Sequence, residues 1–220
     1  MTQYTSGSSQ LSVAQEQNKQ REIDRKLENE FIRIRDKHRK ALLKISARAV
    51  LGPSVIRVFQ KGTKRRLKPI LENINVDELL VLETQEEYKQ WFEENLEKIA
   101  EEIVTTNPKN KASSIYPGYK WGHAAKVLNL FIREVVEFKR YFSDGEAKRI
   151  SKWLYIPVDS LAIKELKRLG VNLPFNKIKA INTEEKFYDV QEWLGRPASE
   201  VDVLRIWFDD MWGDRLEDEN

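Results

Sequence analysis

The stretch that decides the fold runs from Lys120 to Phe142 and reads KWGHAAKVLNLFIREVVEFKRYF. At about 100° per residue, its apolar and polar side chains separate onto opposite faces, which is typical of an amphipathic α-helix. The apolar face carries Ala124, Val127, Leu128, Phe131, Val135 and Phe138. The polar face carries Lys126, Asn129, Arg133, Glu137 and Arg140. The pattern therefore predicts a helix over residues 120–142 that packs into a core by one face.

A longer helix is predicted nearer the N-terminus, over residues 13–52. Residues 13–50 contain no Gly or Pro, and Gly52-Pro53 supplies a stop signal. Apolar residues recur there at intervals of three and four, on one face of an otherwise highly charged helix. This apolar seam consists of Leu27, Phe31, Ile34, His38, Ala41 and Ile45. Residues 1–12, which are small and polar, are predicted to form a disordered tail.

Further helices are predicted in the rest of the chain, and no alternating strand pattern lasts for more than a few residues. They cover about residues 76–83, 85–104, 145–153, 160–169, 183–194 and 200–212. Asn182 with Glu185, and Ser199 with Asp202, have the spacing of N-terminal capping residues. The predicted fold class is therefore all-α. One α-helical domain over 53–220, with its C-terminal helices within 182–216, follows the long charged helix.

The composition excludes several classes of protein and site. The chain of 220 residues has no Cys and two His, so disulfides, Cys nucleophiles, thiolate zinc sites and iron–sulfur clusters are excluded. No cofactor or metal is expected. No run of 18 apolar residues and no secretory signal pattern is present, so we expect a cytoplasmic protein that does not enter a membrane. The common nucleotide-binding, metalloprotease and serine-hydrolase motifs are also missing.

The formal net charge of +3 hides four blocks of alternating sign. Residues 1–69 hold 17 basic and 6 acidic side chains, a net of +11, and residues 70–105 hold 2 and 11, a net of −9. Residues 106–181 hold 15 and 6, a net of +9, and residues 182–220 hold 4 and 12, a net of −8. A face that gathers the basic blocks would suit a polyanion such as DNA. The alternative is that opposite blocks neutralise each other within one molecule or a dimer.

The densest basic cluster lies in a predicted loop over residues 60–69. Its five cations are Lys61, Lys64, Arg65, Arg66 and Lys68. Because Gly62 allows close backbone approach and Arg can bind two phosphate oxygens at once, we interpret the cluster as a phosphate-binding surface. A merely solvated loop is the alternative.

A second candidate region precedes and follows the central helix, within residues 115–169. The Pro117-Gly118 turn, a second Gly at 122 and an Ala-rich helix start predict a tight hairpin whose backbone N–H groups can face a phosphate. Lys126 lies one turn into that helix, and Asp159 begins another, so the fold could bring the two side chains together. The candidate DNA contacts of this region are Gly118, Lys120, Gly122, His123 and Arg133.

This region resembles the helix-hairpin-helix DNA glycosylase superfamily, most closely its archaeal 8-oxoguanine glycosylases. Ala125-Lys126-Val127-Leu128 matches the helix that bears the catalytic Lys, and Ile156-Pro157-Val158-Asp159 matches the segment that bears the catalytic Asp. The separation of 33 residues between Lys126 and Asp159 is similar to that branch. The resemblance covers residues 115–169, and Gly118 and Gly122 replace the usual Gly-x-Gly.

The resemblance implies a DNA glycosylase that removes a damaged or modified base from double-stranded DNA. Whether it also cleaves the DNA strand as a lyase is left open. Lys126 would be the amine nucleophile, and Asp159 would stabilise positive charge on the sugar and move protons. The flipped base would stack on aromatic side chains. The candidates for that contact are Tyr119, Trp121 and Trp153.

Other interpretations of the same residues remain open. Lys126 lies on the polar face of its helix, Asp159 is in an ordinary N-cap position, and Trp121 is on the apolar face. The chain could therefore be a DNA-binding module without catalysis. It could also be an interaction protein whose N-terminal seam pairs with a partner helix or with a second copy of the chain.

Overall fold

A computed structural model describes residues 7–103 and 120–209, with side chains for 18–103 and 121–208. Every regular element in these ranges is helical, and no strand occurs in them, so the predicted all-α class is confirmed. The α-helices are α1 Gly7–Val50, α2 Pro53–Ile56, α3 Thr63–Glu72, α4 Gln85–Glu102, α5 Lys120–Arg133, α6 Asp144–Ser151, α7 Ser160–Arg168 and α8 Glu184–Glu200. Short 3₁₀ helices cover Val76–Leu80, Ile178–Ala180 and Arg205–Asp209, and a π-helical turn covers Glu134–Phe138.

The chain divides into two units, Met1–Ala41 and Leu42–Asn220. The division falls within α1 and not at the predicted boundary after residue 52. The reason is that Leu43, Ala47 and Val50 are buried in the core of the second unit. The predicted tail also differs, because α1 begins at Gly7 and no Gly or Pro interrupts residues 8–51. Residues 1–6 lie outside the described ranges.

The core of the second unit is centred on α4 and α5, which pack against each other. The side chains that α5 buries include Ala124, Val127, Leu128, Phe131 and Ile132. Those that α4 buries include Tyr88, Phe92, Leu96 and Ile99. The predicted apolar face of the helix over 120–142 therefore lies in the core, with one exception at Phe138.

The predicted helix over 120–142 changes its geometry at its C-terminal end. The α-helix stops at Arg133, and the next five residues form a π-helical turn with a backbone hydrogen bond from Lys139 N to Glu134 O. A π turn inserts a residue into the helical repeat and rotates the residues after it. Phe138, which the uninterrupted α-helical period places on the apolar face, is consequently 58% exposed.

The predicted basic loop over 60–69 is wrong for most of its length. Gly62 adopts a left-handed conformation with φ of 96°, and α3 begins directly after it at Thr63. Leu67 and Leu71 anchor this helix in the core. Pro69 lies inside the helix as its seventh residue, where its missing N–H removes one backbone hydrogen bond of the helix.

The C-terminal helices also differ from the prediction. Thr183 caps α8 by accepting a hydrogen bond from Lys186 N, one residue after the predicted cap Asn182. The predicted cap at Ser199 is wrong, since α8 continues past Pro197 to Glu200. Asp202 then has a positive φ of 55°. Residues 210–216 lie outside the described ranges. None of the described helices is long and apolar enough to cross a bilayer.

Candidate functional site

Lys126 and Asp159 lie in direct contact in the second unit. The Lys126 Nζ atom donates to Asp159 Oδ2 at 3.1 Å, across 33 residues of sequence. The two side chains are 24% and 28% exposed, so the pair is partly shielded from solvent. The two residues that the resemblance pairs are therefore neighbours in space, while their catalytic role stays a prediction.

Asp159 uses both of its carboxylate oxygens. As the N-cap of α7 it has an extended backbone, and its Oδ1 accepts hydrogen bonds from Leu161 N at 2.8 Å and Ala162 N at 3.0 Å. Oδ2 is left to face Lys126. The cap and the ion pair are thus compatible, and the cap fixes the orientation of the carboxylate toward the amine.

The charge of Asp159 is favoured by these contacts. Burial on its own would raise the pKa of the Asp159 carboxyl. The positive charge of Lys126 and the hydrogen bonds from Ala162, Lys126 and Leu161 outweigh burial, so the pKa lies below its ordinary value. Asp159 is therefore an ionised carboxylate at neutral pH, beside an amine that it holds at hydrogen-bond distance.

The segment that leads to Asp159 is held by buried amide side chains. Gln191 of α8 accepts a hydrogen bond from Ile156 N at 2.8 Å and donates one to Ile156 O at 3.1 Å. Asn129, one turn after Lys126 on α5, also donates to Ile156 O, at 3.5 Å. Helix α5 therefore contacts the 156–159 segment twice, through Asn129 and through Lys126.

The polar face predicted for this helix is consequently not a solvent-exposed face. Asn129 is 2% exposed and Arg133 is 5% exposed, because the face packs on the Asp-bearing segment and the π turn. Gln191, which is 1% exposed, has no counterpart among the predicted site residues. Its only sequence signal is its position among apolar residues on the buried face of α8, next to Val190.

A cleft of about 430 Å³ opens beside the Lys126–Asp159 pair. It is lined by the end of α1, by α2, by α5 with its π turn, and by the start of α7. Three cations and two anions face it: Arg57, Lys126, Arg133, Glu134 and Asp159. The lining side chains therefore carry an excess of one positive charge.

The charged groups of the cleft differ in their partners. Arg133 pairs with Glu137 at 3.0 Å, and Glu134 pairs with Lys139 at 2.7 Å. Arg57 is exposed, and none of the ion pairs among the described residues includes it. Arg57 is thus the cation of the cleft that is most available to an anionic ligand.

Two large apolar side chains flank the opening of the cleft. Phe138 on the π turn is 58% exposed, and Leu161 at the start of α7 is 56% exposed. The Arg133 guanidinium lies 5.3 Å from the centre of the Phe138 ring, which orients the ring. Phe138 was not among the predicted site residues, because the helical period alone assigns it to the core.

The predicted base-binding aromatics are placed elsewhere. Trp121 packs against Phe187 and Tyr188, with ring centroids 5.1 and 6.0 Å apart. Trp153 stacks on Tyr88 at 6.3 Å. Neither Trp lines the cleft, because both join the aromatic core between α4 and α8. Tyr119 lies outside the described residues.

Three of the predicted DNA contacts are buried in the fold, although Arg133 also lines the cleft. The Gly122 N–H donates to Ile181 O at 2.9 Å, and a Cβ at this position would lie 2.8 Å from Ile178 O, so the glycine serves close packing. His123 is 8% exposed, with its ring edge-to-face on Phe59. Arg133 is buried beside Glu137. Gly118 and the side chain of Lys120 lie outside the described residues.

Two of the five cations in the basic cluster around α3 form ion pairs within the described part of the chain, and the other three do not. Arg66 pairs with Glu102 at 3.0 Å and also donates to Glu102 O, while Lys68 lies 3.5 Å from Glu72. The other three cations, Lys61, Lys64 and Arg65, are exposed and enter none of the ion pairs among the described residues. The candidate phosphate surface is thereby reduced to these three side chains.

Among the described side chains, no group of three or more His, Cys, Asp and Glu residues is placed to hold a metal ion. No protein-family model, curated protein or solved structure matches this chain.

Proposed function

We propose that the protein is a DNA glycosylase in which Lys126 and Asp159 remove a damaged or modified base from double-stranded DNA. The observation that carries this proposal is the contact of 3.1 Å between the amine and the carboxylate at a cleft. The helix-hairpin-helix resemblance of residues 115–169 assigns the nucleophile and the acid to these same two residues.

An ordinary ion pair is the competing explanation, and three features argue against it. An isolated ion pair near the surface contributes about 1 kcal/mol or less to stability. Here the carboxylate is oriented by a cap, its segment is fixed by buried Gln191 and Asn129, and the pair adjoins a cleft. Such preorganisation of a nucleophile and its partner is characteristic of an active site.

The chemistry begins once the Lys126 ammonium, which donates to Asp159 in the folded chain, has released one proton to water. The nitrogen lone pair forms a bond to C1′ of the deoxyribose, and the N-glycosidic bond breaks with its electron pair on the base. The amine loses one proton to Asp159, which delivers it to the departing base. Opening of the sugar ring then gives a Schiff base, from which strand cleavage can follow.

The cleft also offers a contact for the flipped base. An extruded base is held by stacking on apolar or aromatic faces. In the described part of the chain, Phe138 and Leu161 are the exposed large apolar side chains that line the cleft. They take the role in the proposal that the sequence assigned to Trp121 and Trp153.

The decisive experiment is borohydride trapping on duplex DNA that contains an abasic site or 8-oxoguanine. The expected result is a covalent protein–DNA product that Lys126→Gln abolishes. Lys164→Gln is the matched control, because it removes the same charge from an exposed position on α7 and should still be trapped.

Two results would overturn the proposal. One is the absence of both trapping and base release over a panel of lesions. The other is base release that Lys126→Gln and Asp159→Asn leave unchanged. Duplex binding that survives Lys126→Gln, together with no base release by the unmodified chain, would instead indicate a DNA-binding module without catalysis.

A further inference from the structure

The N-terminal unit carries an unpartnered apolar stripe, independent of the proposed active site. Leu27, Phe31 and Ile34 on α1 are 52%, 68% and 53% exposed. They follow each other at intervals of four and three, and His38 continues the same face. We call these four residues the α1 seam. Apolar side chains that line up in this way on a highly charged helix mark a contact surface.

The spacing of the seam is that of a coiled coil. Phe31 and His38 occupy a positions of a heptad, and Leu27 and Ile34 occupy d positions. A helix that buries none of these side chains receives little stabilisation in water, because helices depend mainly on packing of an apolar face. A second helix laid along the seam would supply that packing.

We propose that the partner is a second copy of the chain, bound antiparallel through the α1 seam. The positions that flank the seam carry Glu28 and Arg35 at e, and Glu30 and Lys37 at g. In an antiparallel pair, e positions face e positions and g positions face g positions. With Phe31 opposite Ile34 of the second copy and Leu27 opposite His38, Glu28 faces Arg35 and Glu30 faces Lys37.

In the antiparallel arrangement each of the four flanking charges faces an opposite charge, whereas in the parallel arrangement only two of them do. In a parallel pair, g positions face the e positions of the next heptad. Glu30 then faces Arg35, but Lys37 faces Leu42 and Glu28 faces Ile23. Parallel pairing would also place His38 against His38. Because the chain supplies every complementary charge itself, no partner of different sequence is needed.

The existing ion pairs of α1 do not oppose this pairing. Glu30 lies 2.7 Å from Arg33 and Arg35 lies 3.3 Å from Asp36 within the helix, and all four side chains are at least half exposed. An exposed pair of this spacing contributes about 0.5 kcal/mol or less. Glu30 can therefore exchange Arg33 for Lys37 of the second copy, or contact both.

The assembly is tested by sedimentation and light scattering of the full chain over a range of concentrations. We expect a dimer, and Phe31→Asp should raise its dissociation constant by about 100-fold or more, because two Phe side chains lose their burial. Ile32→Asp is the matched control. Ile32 is 47% exposed, is adjacent in sequence and lies off the seam, so this change should leave the dimer intact.

The orientation is tested by cross-linking, which the absence of native Cys makes clean. In the antiparallel pair, Leu27 faces His38 of the second copy, so Leu27→Cys and His38→Cys should form a disulfide only when combined or mixed. A disulfide in the single Leu27→Cys variant would show parallel pairing and overturn the proposal. A chain that stays monomeric at all concentrations would overturn it as well. Helical circular dichroism of each variant separates loss of pairing from loss of folding.

Discussion

Asp159, the carboxylate of the candidate active site, should also make the stability of the fold depend on pH. Because the pKa of its carboxyl is lower in the folded chain than in the unfolded one, the carboxylate stabilises the fold above about pH 4, near the unfolded pKa. That contribution is lost as the pH falls through the lower pKa of the folded state. Asp159→Asn keeps an N-cap oxygen but removes the charge.

We therefore expect Asp159→Asn to lower the free energy of unfolding at pH 7 and to differ less from the unmodified chain in acid. Urea unfolding over a pH series measures this difference. Asp189→Asn, at an exposed carboxyl of α8, is the control for removing one carboxylate elsewhere in the fold. If the difference in free energy of unfolding between Asp159→Asn and the unmodified chain stayed constant down to pH 3, the pKa of Asp159 would not be lowered by folding.

Gly122 sets the distance between α5 and the 178–181 segment. A Cβ there would lie 2.8 Å from Ile178 O and 2.9 Å from Ile181 O, and both contacts are with backbone that cannot rotate away. Gly122→Ala should lower the free energy of unfolding by about 1–3 kcal/mol. Gly145→Ala is the opposite case, because nothing lies within 4 Å of its new Cβ. That change should raise the free energy of unfolding by up to about 1 kcal/mol.

At the scale of elements, the π turn after α5 gives different burial to two Phe residues that the sequence pattern places on the same apolar face. Phe131 is fully buried, whereas Phe138 is 58% exposed at the cleft. Phe131→Ala should lower the free energy of unfolding by about 3–5 kcal/mol. Phe138→Ala should lower it by about 1 kcal/mol or less, since Phe138 is already more than half exposed.

The same Phe138→Ala variant should nevertheless lose base release or lesion binding if the ring stacks on the flipped base. Unfolding curves and a glycosylase assay on one preparation compare the two effects. Retained activity of Phe138→Ala would assign base stacking to another side chain and leave the Lys126–Asp159 pair unaffected.

The elements also show which sequence signals were reliable. The helical period identified α4 and α5, since their apolar faces do form the core. Gly52-Pro53 does follow the end of α1, but Pro alone was less reliable as a stop signal, because α8 continues past Pro197 and α3 contains Pro69. A helix tolerates Pro where the lost hydrogen bond lies near its ends or is compensated, and local sequence does not contain that information.

Side chains that act across the fold were the hardest to predict. The pairing of Lys126 with Asp159 followed from a resemblance and a spacing. The roles of Gln191 and Arg57 required the structure, because the residues that surround them are distant in sequence and a lone polar residue has no distinguishing pattern. The π turn was equally hidden, since it depends on packing around residues 134–138.

At the scale of the whole molecule, the charge blocks are only partly neutralised within the chain. Arg66 of the first basic block pairs with Glu102 of the first acidic block. Lys61, Lys64 and Arg65 stay exposed beside that pair. Changing these three to Gln should weaken duplex binding and reduce the slope of log affinity against log salt by up to about 3.

A filter-binding or anisotropy titration at several salt concentrations measures that slope. The combined Lys148→Gln, Lys152→Gln and Lys164→Gln variant has the same net charge, and it should retain a steeper slope than the α3 variant. Equal slopes for the two variants would mean that DNA responds to net charge alone and that α3 is not its contact surface.

The backbone before Asp159 has no helix or strand of its own, yet side chains bind its polar groups one after another. Gln85 and Arg205 donate to Trp153 O, Arg205 donates to Leu154 O, and Gln191 binds both polar groups of Ile156. An amide held in this way exchanges its hydrogen only when α8 separates from the core. The Ile156 amide should therefore exchange with deuterium as slowly as the buried helices, which would mark this irregular segment as one of the most rigid parts of the molecule.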